Sequence, residues 1–218
     1  MIGGHVLVLG VKLTDCPSFA NEIERELASS KEWQVEQIWW QLGQPRVPKF
    51  TIINRMLVTV DLNAFAYVIV TDDDIRLSPR FLDRYLGIVE ACRFALAQPA
   101  RTHGSEIHHP IVEQVDGLIA RETRFVEIGP LFSMRQDALP LLTPFDETSP
   151  MGWGFDYTWP LQLGNLKMGI VDATPVDHTM RSAVSGYTGA GDQMREYLLA
   201  HPHLTQEEAY RTLMEYRP

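Results

Sequence analysis

Stretches of apolar and polar positions alternate along the chain in a way that predicts strands and helices in turn. The β-branched run HVLVLGV at 5–11 predicts a strand, and the spacing of Phe19, Ile23 and Leu27 predicts one face of a helix. Next, QVEQIWWQLG at 34–43 predicts a strand and FTIINRMLVTVDL at 50–62 a helix, despite its β-branched residues. This order is typical of a parallel sheet with right-handed crossovers.

A third predicted strand ends in three aspartates, within YVIVTDDDIRLSP at 67–79. Its apolar half suits a central strand that is covered on both faces. Three adjacent carboxylates repel one another unless water, a cation or a hydrogen-bonding partner compensates their charge. If extended geometry continues, Asp72 and Asp74 point to one side and could address one divalent ion, while Asp73 points to the other. A solvated turn that leads into a helix is the alternative.

The second half of the chain predicts fewer regular elements. They are a helix over 79–96, an irregular polar stretch over 99–110, a strand over 124–135, a loop and helix over 140–165, and a last strand over 167–179. The tail after Gly191 is predicted to be helical, because Thr205 and Glu208 have the spacing of a capping box.

Composition and charge narrow the class of protein. The 218 residues, 45% of them hydrophobic, predict one large α/β domain over 1–218, with two small domains as the alternative. No apolar run approaches the about 20 residues of a membrane span, and a basic secretory leader is lacking, so we expect a cytoplasmic protein. Cys16 and Cys92 are too few for a disulfide framework. The net charge of −9 argues against a nucleic-acid-binding surface, and the oligomeric state is left open.

Three segments, in the expected order, resemble those of GT-A-type nucleotide-sugar glycosyltransferases. They are the strand that ends in Asp-x-Asp at Asp72 and Asp74, the GWGFD run at 152–156, and KMGIVDATPVDHT at 167–179. The narrower resemblance, through SEIHH, GWGFD and GIVD, is to a subgroup of predicted glycosyltransferase-like proteins known mainly as a domain of unknown function.

The resemblance implies a fold as well as a site. We expect a GT-A-like, Rossmann-like α/β fold with a mostly parallel sheet flanked by helices. Residues 1–98 would form the nucleotide-sugar-binding half, 99–190 the acceptor-side half, and 191–218 a helical C-terminal tail.

The resemblance also assigns chemistry to four residues. Asp72, Asp74 and His178 would hold Mn²⁺ or Mg²⁺ beside the diphosphate of a nucleotide-sugar donor, where positive charge stabilises the leaving group. Asp156 would be the catalytic base that deprotonates an acceptor hydroxyl. Direct attack by that hydroxyl implies inversion at the sugar carbon.

Weaker expectations concern the contacts with the two substrates. The residues expected near the nucleotide are Gly10, Lys12, Lys49, Asn54 and Asp73. The residues expected near the acceptor are Trp153, Gly154, His108 and His109. A core or surface role is the alternative for each of them, and adjacent histidines on a strand point in opposite directions and cannot readily share one metal ion.

These expectations add up to a non-processive glycosyltransferase that moves one sugar, such as a hexose, to a glycan or other hydroxyl acceptor. The Gln-x-x-Arg-Trp sequence of processive polysaccharide synthases is absent. Two rival functions stay open. One is a protein that binds sugar nucleotides or glycans without turnover, and the other is a Mg²⁺-dependent phosphohydrolase in which one aspartate is the nucleophile.

Overall fold

A computed structural model describes residues 4–181 and 189–218, and within them the chain forms one eight-stranded sheet. The strands are β1 (His5–Leu13), β2 (Gln34–Leu42), β3 (Tyr67–Asp72), β4 (Phe94–Arg101), β5 (Ala120–Thr123), β6 (Leu131–Arg135), β7 (Lys167–Val176) and β8 (Thr212–Tyr216). The helices are α1 (Ala20–Ala28), α2 (Lys49–Leu57), α3 (Phe81–Cys92), α4 (Leu139–Leu142), α5 (Phe155–Leu163), α6 (Ala190–Ala200) and α7 (Gln206–Ala209). None of these helices is long and apolar enough to cross a membrane.

The strand order is β2-β1-β3-β6-β4-β7-β5-β8. Strand β1 pairs in parallel with both β2 and β3, and β4 pairs in parallel with β7. The antiparallel strands β6 and β5 each lie between two strands that run the other way. All the remaining strands therefore share one direction, which confirms the prediction of a mostly parallel sheet.

The sheet has a hydrophobic layer on each face because its central strands carry buried apolar side chains on both sides. In β1, Val6 and Val8 pack into one layer, whereas Leu7 and Leu9 pack into the other. The one-residue alternation of a strand produces this division. The prediction of central strands covered on both faces is confirmed.

Helices of different parts of the chain cover the two faces. Ile23 of α1 and Tyr85 of α3 belong to the layer of Val6, and the predicted Phe19, Ile23 and Leu27 face packs there. Phe50 of α2 and Trp159 of α5 belong to the layer of Leu7. The segment that precedes Asp156 is therefore anchored on the same face as α2.

The predicted helix over 79–96 is too long. Helix α3 ends at Cys92, and Arg93 adopts the left-handed conformation with φ 60°, after which the chain enters β4 directly. Strand β4 continues to Arg101, into the stretch that was expected to be irregular. Every residue of β4 is buried, and an apolar run of this kind does not distinguish strand from helix by its period.

The predicted strand over 124–135 is also only partly correct. Strand β6 begins at Leu131, and a separate short strand, β5, ends at Thr123. Residues 124–130 form a loop between them, and this loop carries a buried charged residue, Glu127.

The tail is helical as predicted, but it does not end in a helix. Thr205 and Glu208 form the expected capping box at the start of α7. The chain then returns to the sheet as β8, which pairs with β5 from Ala120↔Tyr216 onward. The proposed division into halves at residues 98 and 190 stays a prediction.

Candidate functional site

One edge of the sheet collects the chemistry-bearing residues. Strands β3, β4 and β7 are parallel, so their carboxyl ends lie at the same edge and carry Asp72, Arg101 and His178. Strand β6 runs the other way, so the loop before it brings Glu127 to that edge too. The carboxyl edge of such a sheet is where ligands bind in α/β proteins.

Lys49 compensates the charge of Asp72. Its Nζ lies 2.8 Å from Oδ1 of Asp72 and also donates to the carbonyl oxygen of Ile128 at 3.1 Å. Lys49 is the first residue of α2, and its side chain is only 14% exposed. The structure thus brings together two of the residues predicted at the donor site.

Arg181 joins the other two aspartates. Its Nε donates to Oδ2 of Asp74 at 3.0 Å, and its Nη2 contacts Asp73. Asp73 also accepts a hydrogen bond from the Leu13 amide at 2.9 Å. The extended geometry on which the predicted alternation depended does not continue, because β3 ends at Asp72 and the chain bends at Asp73 and Asp74.

His178 lies beside Asp74. Its Nε2 is 3.3 Å from Oδ2 of Asp74, and the residue is 4% exposed. The Ser105 hydroxyl accepts a hydrogen bond from the His178 amide at 3.0 Å, which fixes the chain just after β7. The arrangement places an imidazole and a carboxylate side by side, and their predicted role as metal ligands stays a prediction.

The electrostatic surroundings of Asp72 and Asp74 differ. Burial raises the pKa of Asp72, and the Lys49 ammonium only partly opposes this, while Asp74 adds repulsion. Burial also acts to raise the pKa of Asp74, but His178 and Arg181 more than offset it, so that pKa lies below its usual value. Asp74 is therefore the more firmly ionised of the two carboxylates.

The donor atoms around Asp74 suit a divalent cation in type, but the set is incomplete. Oδ1 of Asp74 and Nδ1 of His178 are buried and lack a hydrogen-bond partner in the described part of the chain. Carboxylate oxygen and imidazole nitrogen are ligands that Mn²⁺ accepts. No group of three or more His, Cys, Asp or Glu side chains is arranged to hold a metal within residues 4–181 and 189–218.

Asp156, the predicted catalytic base, lies in the first turn of α5. It is 5% exposed, and its Oδ1 has no hydrogen-bond partner among the described residues. Burial raises the pKa of Asp156 to about 8, and the charge of Glu127 adds to the rise. At neutral pH this carboxyl group is mostly protonated.

Glu127 forms a buried ion pair with Arg101. Nη2 of Arg101 lies 2.6 Å from Oε2 of Glu127, and the same guanidinium donates to the carbonyl oxygens of Glu106 at 2.7 Å and Gly129 at 3.2 Å. Burial raises the pKa of Glu127, and the Arg101 charge opposes this. The net pKa of Glu127 lies above its usual value, while the short contact with the Arg101 guanidinium favours the carboxylate form.

His109 stands between the carboxyl groups of Glu127 and Asp156. Its Nε2 is 3.9 Å from Oε1 of Glu127 and 4.0 Å from Oδ2 of Asp156, and its Nδ1 hydrogen-bonds to the Tyr210 hydroxyl. Burial and the nearby Arg101 charge lower the pKa of His109 to about 4, so the imidazole is neutral.

The GWGFD turn needs its two glycines. Gly152 and Gly154 have φ angles of 84° and 96°, which L side chains rarely adopt. A Cβ on Gly152 would lie 2.2 Å from the ring of Phe50. Gly154 caps α5 and so sets the position of Asp156, while Trp153 between the glycines is half-buried.

Other residues predicted near the substrates have structural contacts. The space beside Gly10 is filled by the Trp39 ring, and Lys12 donates to Asn21 at 2.8 Å on the surface. The side-chain amide of Asn54 donates to the Phe145 carbonyl oxygen and accepts from the Phe145 amide, both at 2.8 Å. Asn54 therefore has a structural role that links these two segments.

The two adjacent histidines point to different partners, as expected. Nε2 of His108 lies 3.6 Å from Glu106, whereas His109 faces Glu127 and Asp156. Of this pair, His109 is the one that lies beside Asp156, the predicted base.

Four residues of this edge are missing from the sequence-based expectations: Arg101, Glu127, Arg181 and Tyr210. Arg181 follows His178 by three positions, and Glu127 stands in an apolar run, FVEIGPLF, where a lone charge is unusual. The latter signal could have indicated a buried functional group. Nothing local in the sequence indicates Arg101 or Tyr210.

Comparison with solved structures identifies the fold. The crystal structure of GalNAc-T7 with UDP, GalNAc and Mn²⁺ superposes with a TM-score of 0.54 at 9% identity, over 90% of this chain and 48% of that chain. The chain thus spans about half the length of that protein. The likeness confirms a GT-A-type glycosyltransferase fold.

Two crystal structures of S. aureus TarS align less closely. The 1–349 fragment with UDP-GlcNAc has a TM-score of 0.48 at 10% identity over 94% of this chain and 68% of its own. The second has a TM-score of 0.48 at 9% identity over 94% and 41%. Neither a family model nor a curated protein matches the chain, so the resemblance to the narrower subgroup stays a prediction.

Proposed function

We propose that the protein is a glycosyltransferase that moves one sugar from a nucleotide-diphosphate donor to a hydroxyl group of a glycan or other acceptor. The observation that carries the proposal is the convergence of two groups at one sheet edge. Asp72, Asp74 and His178 lie at the ends of β3 and β7, and Asp156 lies in the turn that opens α5. The GT-A-type fold supports placing donor chemistry at the first group and acceptor chemistry at the second.

On the donor side, Lys49, Arg181 and His178 surround the three aspartates with cationic or hydrogen-bonding groups. Nη1 of Arg181 is buried and has no hydrogen-bond partner in the described part of the chain. An anionic diphosphate could accept hydrogen bonds from such donors. We therefore include Arg181 with Lys49 among the groups that bind the leaving diphosphate.

Asp74 and His178 are the residues that would hold Mn²⁺ or Mg²⁺, with Asp72 beside them. The ion supplies positive charge next to the diphosphate as negative charge develops there. Lys49 keeps Asp72 turned toward α2, so a three-residue ligand set would require this ion pair to open.

On the acceptor side, Asp156 in its ionised form takes the proton of the attacking hydroxyl group. The acceptor oxygen then forms a bond to the anomeric carbon, and the electrons of the broken bond leave with the diphosphate. This single displacement inverts the sugar carbon. A carboxylate with a high proton affinity is a stronger base than an ordinary aspartate, although less of it is ionised at neutral pH.

Thermal shift measurements with UDP, GDP and p-nitrophenyl phosphate, each with and without Mn²⁺, test the proposal. We expect a nucleoside diphosphate to stabilise the fold with Mn²⁺ present. Turnover of a nucleotide sugar such as UDP-GlcNAc, by transfer or hydrolysis, is then measured as release of the nucleoside diphosphate. Stabilisation without any turnover across a panel of donors and acceptors would favour a binding protein, and cleavage of p-nitrophenyl phosphate would favour a phosphohydrolase.

A further inference from the structure

Resting on the proposed function, we propose that Glu127 and His109 act on Asp156 as one unit: Glu127 increases and His109 decreases the proton affinity of the base. Arg101 and Tyr210 fix the two side chains. Glu127 and His109 are positioning residues, since they act through Asp156.

The geometry joins the three residues at one point. Nε2 of His109 lies nearly equidistant from Glu127 and Asp156, at 3.9 Å and 4.0 Å. Both carboxyl groups are less than a tenth exposed, so solvent screens their interaction only weakly. A charge on one is therefore felt by the other.

Arg101 gives Glu127, and not Asp156, a cationic partner that favours its ionised form. The 2.6 Å ion pair and the two backbone carbonyls that Arg101 also binds hold this guanidinium and its partner in place. Asp156 has no comparable contact with a guanidinium or ammonium group among the described residues, so its ionisation adds a second negative charge to a buried site. Like charges at close range raise the proton affinity of the group that ionises last.

Tyr210 orients His109. The Tyr210 hydroxyl group hydrogen-bonds to Nδ1 of His109, and we assign the hydroxyl group as the donor. The imidazole proton is then on Nε2, which faces the two carboxyl groups. A lone pair in that position would be repelled by ionised Glu127, so this tautomer is favoured. The N–H group stabilises negative charge on Asp156.

The groups that surround Asp156 come from several parts of the fold. They are Arg101 of β4, His109 of the following loop, Glu127 of the β5–β6 loop, Tyr157 of α5, and Tyr210 after α7. Tyr157 lies next to Asp156 in the chain, and its pKa is raised by burial, so it remains neutral. Glu127 is thus the negative charge that Asp156 feels most directly.

Direct titration of Asp156 tests the inference without any substrate. The full chain is labelled with ¹³C-aspartate, and the side-chain carboxyl resonance that disappears in Asp156→Asn is followed by NMR from pH 4 to 10. We expect a midpoint of about 8 in the wild type. Glu127→Gln should lower it by about one pH unit, because it removes the charge and keeps the shape. His109→Leu should raise it, because it removes the N–H group.

Glu122→Gln is the matched control. Glu122 lies on β5 and, like Glu127, forms a 2.6 Å ion pair, in this case with Lys167. The midpoint of Asp156 in this variant should equal that of the wild type. An unchanged midpoint in folded Glu127→Gln would overturn the inference. If that variant fails to fold, His109→Leu decides, and an unchanged or lowered midpoint would overturn it.

Failure of this inference and failure of the proposed function give different results. If no nucleoside diphosphate stabilises the chain and no nucleotide sugar is turned over, the proposed function is wrong, whatever the titration shows. If turnover is found, its pH midpoint should move to lower pH in Glu127→Gln along with the NMR midpoint. A turnover midpoint that stays in place would contradict the inference.

Discussion

Nε2 of His178 lies 3.3 Å from Oδ2 of Asp74, although the two residues leave the sheet from different strands. Strands β3 and β7 are not neighbours, since β6 and β4 separate them. The contact forms because the segments that follow β3 and β7 bend toward each other. The Arg76–Asp177 bridge joins these two segments. This relationship links the aspartate segment to the last third of the chain.

Asp74→Ala should abolish the Mn²⁺-dependent stabilisation by UDP. Asp74 supplies the buried, unpartnered Oδ1 that a cation would bind. Ligand at about 100 times its Kd stabilises a fold by about 2.7 kcal/mol, which a thermal shift assay resolves. Asp137→Ala removes an exposed carboxylate paired with Arg135 and should leave the response unchanged. A full response in Asp74→Ala would place the ion elsewhere.

Lys49→Met should lower both stability and nucleotide affinity. It leaves Asp72 without its cation and the Ile128 carbonyl without a donor, which we expect to cost about 1–3 kcal/mol. Urea unfolding measures the first effect and calorimetry with UDP and Mn²⁺ the second. Lys49→Arg retains the charge and should recover much of the affinity. Wild-type UDP binding by Lys49→Met would exclude Lys49 from the donor site.

Asp156→Asn should remove turnover and stabilise the fold. The usual pKa of 3.8 applies in the unfolded chain, whereas the folded value is about 8. Between these values the folded state binds more protons, so the wild type loses stability as pH rises from about 4 to 8. The neutral amide avoids this loss. The gain in Tm over the wild type should be larger at pH 8.5 than at pH 5, and an equal gain at both would contradict the buried-acid interpretation.

Turnover by the wild type should increase with pH through about 8, because only ionised Asp156 accepts the proton of the acceptor. A profile of initial rate against pH at saturating donor measures this midpoint. A rate that is already level from pH 6 upward would show that another group is the base, or that chemistry does not limit the rate.

Gly152→Ala should destabilise the protein by at least about 2 kcal/mol, since it combines a left-handed φ with a clash against Phe50. It should also reduce turnover by displacing the turn before Asp156. Gly87→Ala is the control: Gly87 is exposed in α3 with open space beside it, and alanine there should stabilise the helix by about 0.5–1 kcal/mol. Chemical unfolding compares the two, and a mild effect of Gly152→Ala would mean that the turn tolerates rearrangement.

The sequence predicted the first half of the fold better than the second. In residues 5–74 polar or Pro-containing segments separate the apolar runs, so each strand and helix can be recognised by its own period. Strand β4 follows α3 after one residue, Arg93, and both are apolar, so the pattern shows no boundary. Strand β8 is exposed at every residue except the half-buried Tyr216, so no buried face distinguishes it from a loop in the sequence.

The candidate site divides in the same way. Asp72, Asp74, Asp156 and His178 each follow a strand or a tight turn, and that position is visible in the local pattern. The contacts of these residues are not visible in the local pattern, because Glu127, Arg101 and Tyr210 come from other segments. Arg181 is close to His178 in the chain, but its contact with Asp74 joins two distant segments.

By itself, the sequence determined which residue types stand at the ends of the buried strands, because strand period and chain punctuation are local properties. Only the tertiary structure decided which charges face each other, since contacts such as Lys49–Asp72 and His109–Asp156 depend on strand order and on the bend of the chain beyond each strand. The tertiary structure also decides the proton affinity of Asp156, because burial and a neighbouring carboxylate raise it above that of an ordinary aspartate.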